Sequence, residues 1–285
     1  MRNPTKDKFI STLKDVFISQ QDKGNVKDFL FESLVIPLLV KISGFDEAYK
    51  WLSQFGAAGA KEDLDEMFDK LNINVRFHYN TPPEKQAVFV FNHPTGPYDH
   101  AFIQRALHFF GMKGSVLGDE IMEDLLFVKG TYLPLNIRTK DSSKKQKQLN
   151  NISNVIQQGH SLILFPSGEV ANKSFISRKT VEYPWKTGFI KFAKQYSLNI
   201  IPCYIDVEAS FLFYLLKHIN RDLASLALFR EGAKTAKKCK GRTIDIYIGD
   251  SVDFNTIEID ANQAFEVKKI CENLKAKKYL NTFLL

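Results

Sequence analysis

The chain has 285 residues, 44% hydrophobic and 25% charged, which excludes a disordered polypeptide and allows one sizeable α/β core with an appendage. Its formal net charge is +7 and its pI about 9.1, a surplus that suits an anionic membrane surface, a phosphorylated cofactor or nucleic acid without choosing among them. Cys203, Cys239 and Cys271 lie 36 and 32 residues apart, matching neither a disulfide framework nor paired zinc ligands, so a reducing compartment is expected.

The start, MRNPTKDKFISTLKDVF, is basic, but Asp7, Lys8 and Lys14 interrupt it before any unbroken apolar run. It therefore lacks the pattern of a secretory signal, and a cytoplasmic place is expected. Residues 5–75 carry helical spacing, with Phe9, Leu13, Phe17 and then Phe29, Leu30, Leu34, Leu38 and Ile42 at threes and fours. This predicts an N-terminal helical region over 1–78, whose apolar faces either pack on the core or lie on lipid. The apolar stretch 29–42 contains Glu32 and Lys41 and falls short of the roughly 20 residues a bilayer demands, so no spanning helix is expected.

Pro82 and Pro83 break the helical pattern, and a second region, 79–285, begins there. Short apolar runs at 87–91 (AVFVF), 115–117, 162–165 (LILF), 200–205 (IIPCYI) and 244–248 (IDIYI) read as strands, most of them covered on both faces. Helical segments are predicted at 101–110, 144–157 and 186–196. The alternation predicts an α/β fold, a mixed and largely parallel sheet flanked by helices, with functional groups just beyond the carboxyl ends of strands.

Directly after the first of these strands comes FNHPTGPYDH, in which five residues separate His93 from Asp99. Pro94, Gly96 and Pro97 oppose a regular helix across the gap, so the segment reads as a tight loop folding back. In one reading Asp99 fixes the His93 tautomer and leaves the other ring nitrogen free to take a proton from a hydroxyl. In the other, Asp99 caps the following helix and His93 satisfies a loop carbonyl. The two are compatible. In LILFPSGEV, Ser167 stands at a strand end, but Phe165 and Glu169 occupy the places where a hydrolase nucleophile elbow needs glycine. Glu169 meets an acceptor hydroxyl or braces its own loop.

Four blocks in order, NHPTGPYD (92–99), GTYLPLN (130–136), FPSGEV (165–170) and IIPCYID (200–206), resemble the pattern of the glycerophospholipid acyltransferase superfamily over roughly residues 79–250. Within it the chain is most similar to the hemolysin-like, ornithine-lipid O-acyltransferase subgroup, which LFREG (228–232) and IGD (248–250) also suit. The resemblance implies that His93 is the general base, that Asp99 orients it, and that the acceptor oxygen attacks an acyl thioester without an acyl-enzyme. It implies acyl-CoA or acyl carrier protein as donor, a lyso-lipid acceptor, no metal or other cofactor, and acceptor-site roles for Gly130, Asn136, Ser167, Gly168 and Glu169. Members that acylate phosphorylated glycerol carry arginines where this chain has Asn136 and Val170, so an N-acyl amino-acid lipid is a serious acceptor candidate. Arg138 and Arg178 either substitute for those arginines or are solvated surface charges.

Oxyanion donors are expected from backbone amides near Gly168 or from a basic side chain. The basic run 234–242 (KTAKKCKGR) is either a docking patch or a solvated turn, and 211–216 (FLFYLL) is an acyl groove, a lipid contact or ordinary core. Together these place the protein on the inner face of the cytoplasmic membrane as a peripheral enzyme, with no nucleic-acid partner. Two rivals remain open: a metal-dependent hydrolase built on His93, Asp99 and His100, and a non-enzymatic membrane-surface or nucleic-acid-binding protein on the same scaffold.

Overall fold

The computed structural model describes residues 34, 37, 38, 41, 61–118, 130–135, 141–174, 180–209, 211–219 and 241–285. In chain order its first half holds α1 (Lys61–Leu71), β1 (Asn74–Tyr79), β2 (Val88–Phe91), α2 (Pro97–Phe109), β3 (Gly114–Gly118), β4 (Tyr132–Pro134) and α3 (Ser142–Gln157). The second half holds β5 (Ser161–Leu164), β6 (Asn172–Lys173), β7 (Thr180–Val181), α4 (Gly188–Tyr196), β8 (Ile200–Asp206), α5 (Phe211–Ile219), β9 (Thr243–Ile248), α6 (Ala261–Asn273) and β10 (Asn281–Leu284).

Among the described residues, one eight-stranded sheet has the order β10-β1-β9-β8-β2-β5-β3-β4, and β6 pairs with β7. The five strands from β8 to β4 run parallel. Beyond β8 the sheet turns mixed: β9 is antiparallel to β8, β1 is parallel to β9, and β10 is antiparallel to β1. This is the mixed, largely parallel α/β sheet that the apolar runs predict.

Every residue of β2 and β5 is buried, because the pleat sends alternate side chains to two separate cores. Phe89, Phe91, Ile163, Ile201 and Cys203 face one layer, where they meet Phe68 of α1 and Phe102, Ile103 and Ala106 of α2. Val88, Val90, Leu162, Leu164 and Ile200 face the other, against Ile152 of α3, Phe189 and Ile190 of α4, and Ala264 and Val267 of α6. Truncating one of the fully covered aromatics, such as Phe89, to alanine costs about 3–5 kcal/mol in such a core.

The connections decide where a site can form. From β2 the chain crosses one face through α2 and passes over β5 to reach β3, whereas from β5 it crosses the opposite face through α4 to reach β8 on the far side of β2. Two neighbouring parallel strands whose connections leave in opposite directions open a crevice beyond their carboxyl ends. His93 follows β2 and Phe165 follows β5, so both lie at this crevice.

Several elements lie outside the expected pattern. The sheet takes in β1, which straddles the expected boundary at 78/79, and α1 and α2 share the core formed with it. In β1 the outward residues include Arg76 and His78, and both bond to Asp245 of β9, 2.6 Å from Arg76 Nε and 2.6 Å from His78 Nε2. That pairing across the chain explains why the segment reads as polar in isolation. Helix α2 begins at Pro97 rather than 101, since proline is tolerated in the first turn. Helix α6 rests on the Asp260 side chain, which accepts from the N–H groups of Asn262 and Gln263 at 2.7 and 2.9 Å. Most of the expected N-terminal helical region, LFREG and all but the end of the basic run lie outside the described residues.

Candidate active site

Asn92 anchors the crevice first. It is buried, its Oδ1 accepts the Ile205 N–H at 2.7 Å and its Nδ2 donates to the Ile205 carbonyl at 3.0 Å. The amide thus extends the β2–β8 ladder by one side chain just where β2 ends. The next residue, His93, is held by its backbone on two sides: its N–H donates to Glu182 Oε2 at 3.2 Å, and its carbonyl accepts the Ala171 N–H at 2.7 Å.

The chain then turns through Gly96, whose φ of 77° and ψ of −122° only glycine adopts without strain. Pro97 opens α2, and Asp99 falls in its first turn. The gap between His93 and Asp99 is therefore a short loop followed by helix, which corrects the expectation of a loop throughout. Asp99 is fully buried. Its Oδ2 accepts from His93 Nδ1 at 2.8 Å and from the N–H groups of Thr95 and Gly96, both at 3.1 Å. Its Oδ1 accepts from the Thr95 N–H at 3.2 Å and from the Thr95 hydroxyl. Every partner is a donor, and the helix N-terminus favours the same negative charge. Both readings of Asp99, as cap and as dyad member, describe the same carboxylate.

Because Asp99 only accepts, Nδ1 of His93 carries the proton and Nε2 presents its lone pair. Nε2 has no hydrogen-bond partner among the described residues, and the side chain is 18% exposed. The imidazole lies on the Phe165 ring with centroids 4.0 Å apart and planes 21° from parallel. Phe165, the first residue beyond β5, thus fixes the face of the base from the neighbouring strand.

The loop after Phe165 is a tight turn. The Gly168 N–H donates to the Phe165 carbonyl at 2.8 Å, and Gly168 has a φ of +68°. Oxyanion donors are expected from amides near Gly168 or from a basic side chain, and the amide of Gly168 itself is committed to its own turn. Ser167 is buried, its hydroxyl donates to the Glu169 carbonyl at 2.9 Å, and its other neighbour is the Glu182 carboxyl. Glu169 is half-buried, and its N–H lies 3.4 Å from Ser167 Oγ. Val170 is buried against Phe213 and Tyr214 of α5, so it belongs to a small core rather than to the crevice lining.

Two further groups carry no signal in the sequence. Lys186 bonds through its backbone N–H to the Pro166 carbonyl at 3.0 Å, and its Nζ lies 3.1 Å from where a Cβ on Gly168 would stand. A cation therefore rests on the same turn. Glu182, between β7 and Trp185, is buried and faces the back of the His93 peptide. Burial pushes its carboxyl above the ordinary range, while the Ser167 hydroxyl and His93 oppose that rise. A lone Glu two residues before a proline has no periodicity or spacing that marks it.

The remaining expected residues separate. Gly130 lies at the amino end of β4 with a φ of +85°, away from the carboxyl ends where His93 and Phe165 gather. Asn136, Arg138 and Arg178 lie outside the described residues. His100 turns aside: it is buried, its Nε2 meets Thr131 Oγ1 at 2.7 Å, and burial pushes its imidazole down to about 3. Among the described residues, no three His, Cys, Asp or Glu side chains are placed to hold a metal ion, so His93, Asp99 and His100 do not form the trio that the hydrolase reading needs. In α5, Phe213 and Tyr214 are core, whereas Phe211 and Leu215 are exposed on the opposite side.

Residues 72–206 match the family model described as Acyltransferase, a span from just before β1 to the end of β8 that contains the whole His93–Asp99 site. The match places an acyltransferase domain over this segment. A crystal structure of the 1-acyl-sn-glycerophosphate (LPA) acyltransferase PlsC from Thermotoga maritima is similar at a TM-score of 0.45 and 13% identity, covering 95% of this chain and 96% of that one. No curated protein sequence matches the chain.

Proposed function

We propose that this protein is an O-acyltransferase of the glycerophospholipid acyltransferase superfamily that moves a fatty acyl group from an acyl-CoA or acyl carrier protein thioester to a hydroxyl of a lyso-lipid. The observation that carries the reading is the saturated, buried Asp99 bonded to His93 Nδ1 at 2.8 Å, with Nε2 left without a partner among the described residues at the crevice. Such a base is suited to take a proton from a bound hydroxyl.

As His93 Nε2 removes that proton, the acceptor oxygen attacks the thioester carbonyl, and Asp99 stabilises the imidazolium. The tetrahedral adduct then collapses, the C–S bond breaks, and the imidazolium returns its proton to the leaving thiolate. General-base assistance of this kind is worth about 10²- to 10⁴-fold, and holding two substrates together contributes several kcal/mol more. The Ser167 hydroxyl, bound to the Glu169 carbonyl, supports transfer without an acyl-enzyme. With the Gly168 amide occupied, the Lys186 ammonium that rests on the turn serves the oxyanion or an anionic acceptor group.

Valine at 170 and its burial favour an acceptor read without an arginine there, such as an N-acyl amino-acid lipid. Exposed Phe211 and Leu215 and the net charge of +7 support work at an anionic membrane face. Among the described residues no helix is long and apolar enough to cross a membrane.

The test is thiol release from acyl-CoA and acyl carrier protein donors with lysophospholipid and lyso-amino-acid-lipid acceptors, wild type against His93→Ala. Acceptor-dependent release with an acylated lipid product, lost in the variant, is expected. Release without acceptor would make the protein a thioesterase, and activity in a folded His93→Ala variant would remove His93 as the base.

A further inference from the structure

Glu182 is a carboxyl that the transfer chemistry above does not use. It is 8% exposed, and its Oε2 accepts the His93 backbone N–H at 3.2 Å. The Ser167 hydroxyl stands against the same carboxyl and favours its ionised form. That hydroxyl has a single proton, so it reaches the carboxyl or the Glu169 carbonyl by rotation. The other oxygen, Oε1, is buried without a hydrogen-bond partner among the described residues.

Burying a carboxyl with an unmet oxygen is unfavourable. A brace for the His93 amide would need only a neutral acceptor, and a glutamine oxygen would serve. What glutamate adds is the capacity for a charge, which burial opposes and the Ser167 hydroxyl and His93 favour. His93 is consequently placed between two carboxyls, Asp99 on its ring and Glu182 on its peptide. His93 and Glu182 attract each other electrostatically, and Asp99 opposes the ionisation of Glu182. Among the described residues, Tyr204 of β8 and Cys271 of α6 also feel the Glu182 charge, and both are held neutral by burial.

We propose that Glu182 is a positioning residue for His93: its Oε2 fixes the peptide from which the ring hangs, and its negative charge supports the imidazolium that forms as the acceptor hydroxyl is deprotonated. The proposal rests on the reading of His93 as general base.

The experiment compares full-length wild type, Glu182→Gln, Glu182→Asp and His93→Ala for kcat, KM and the pH profile of kcat/KM. Glutamine keeps an oxygen for the His93 N–H and removes the charge. The expected result is a kcat lowered on the order of tenfold to a hundredfold, KM values within about twofold, and an acid limb moved to lower pH, because the imidazole has lost a nearby negative charge. Aspartate keeps the charge on a shorter arm, so kcat falls and the acid limb stays where it is. A folded Glu182→Gln variant with wild-type kcat and an unmoved limb overturns the proposal. Should Glu182→Gln lose its cooperative melt, Glu182→Asp decides, and an acid limb displaced despite the retained charge overturns it. Activity in His93→Ala defeats the general-base reading itself, whereas an inactive His93→Ala beside an unaffected Glu182→Gln defeats only this inference.

Discussion

Replacing Asp99 by asparagine keeps the volume of a fully buried side chain and removes its charge. Three N–H donors converge on Oδ2, whereas Oδ1 faces the Thr95 N–H and a hydroxyl that can rotate to accept. The new amide therefore turns its NH2 group toward Thr95 and keeps its oxygen toward His93. The tautomer of His93 survives, but the imidazolium formed during transfer loses its counter-charge. Two unit charges about 4 Å apart at an effective dielectric near 20 attract by about 4 kcal/mol. At about 1.4 kcal/mol per decade, the expected fall in kcat is about a thousandfold. Loss of charge-assisted hydrogen bonds and of the favourable charge at the α2 N-terminus adds about 1–3 kcal/mol of destabilisation. The assay is kcat at saturating donor and acceptor, with calorimetry on the same sample. A cooperatively melting Asp99→Asn variant within about fivefold of wild-type kcat, or a loss confined to KM, would refute the role given to this carboxylate.

Asn92→Ala removes the clamp on Ile205 and leaves a buried N–H and a buried carbonyl unmet, at about 1–3 kcal/mol each. Urea denaturation should show that loss together with a lowered kcat, because His93 is the next residue in the chain; unchanged stability would mean that water replaces the amide. His100 predicts a pH dependence of stability. Its folded imidazole is pushed down to about 3 from an ordinary 6.5, so between these values the unfolded chain binds a proton that the folded chain does not. Stability therefore falls as pH drops below about 6.5, with a slope approaching about 1.4 kcal/mol per unit, until the folded imidazole also protonates. His100→Gln should flatten that slope between pH 6.5 and 4, and an unaltered slope would assign it to other groups.

The strands that carry the site were legible because β2, β5 and β8 are continuous apolar runs, a local pattern that burial on both faces imposes. The β1 segment was not, since Arg76 and His78 find their partner Asp245 more than 160 positions away. Similarly, β10 is exposed along its whole length and has no apolar pattern to betray it. His93 and Asp99 could be picked out because their chemistry and the Pro-Gly loop between them are written in consecutive residues. Their environment could not. Asn92 meets Ile205 113 positions on, the His93 amide meets Glu182 89 positions on, and Phe165 comes to the imidazole only because β5 was inserted beside β2. The sequence alone thus determined the alternation of elements and the reactive side chains, since periodicity and turn chemistry act over a few neighbouring residues. Strand order, which only the tertiary structure decided, turned His100 away and placed a second carboxyl behind the base, because partners across a sheet are chosen by packing and not by distance along the chain.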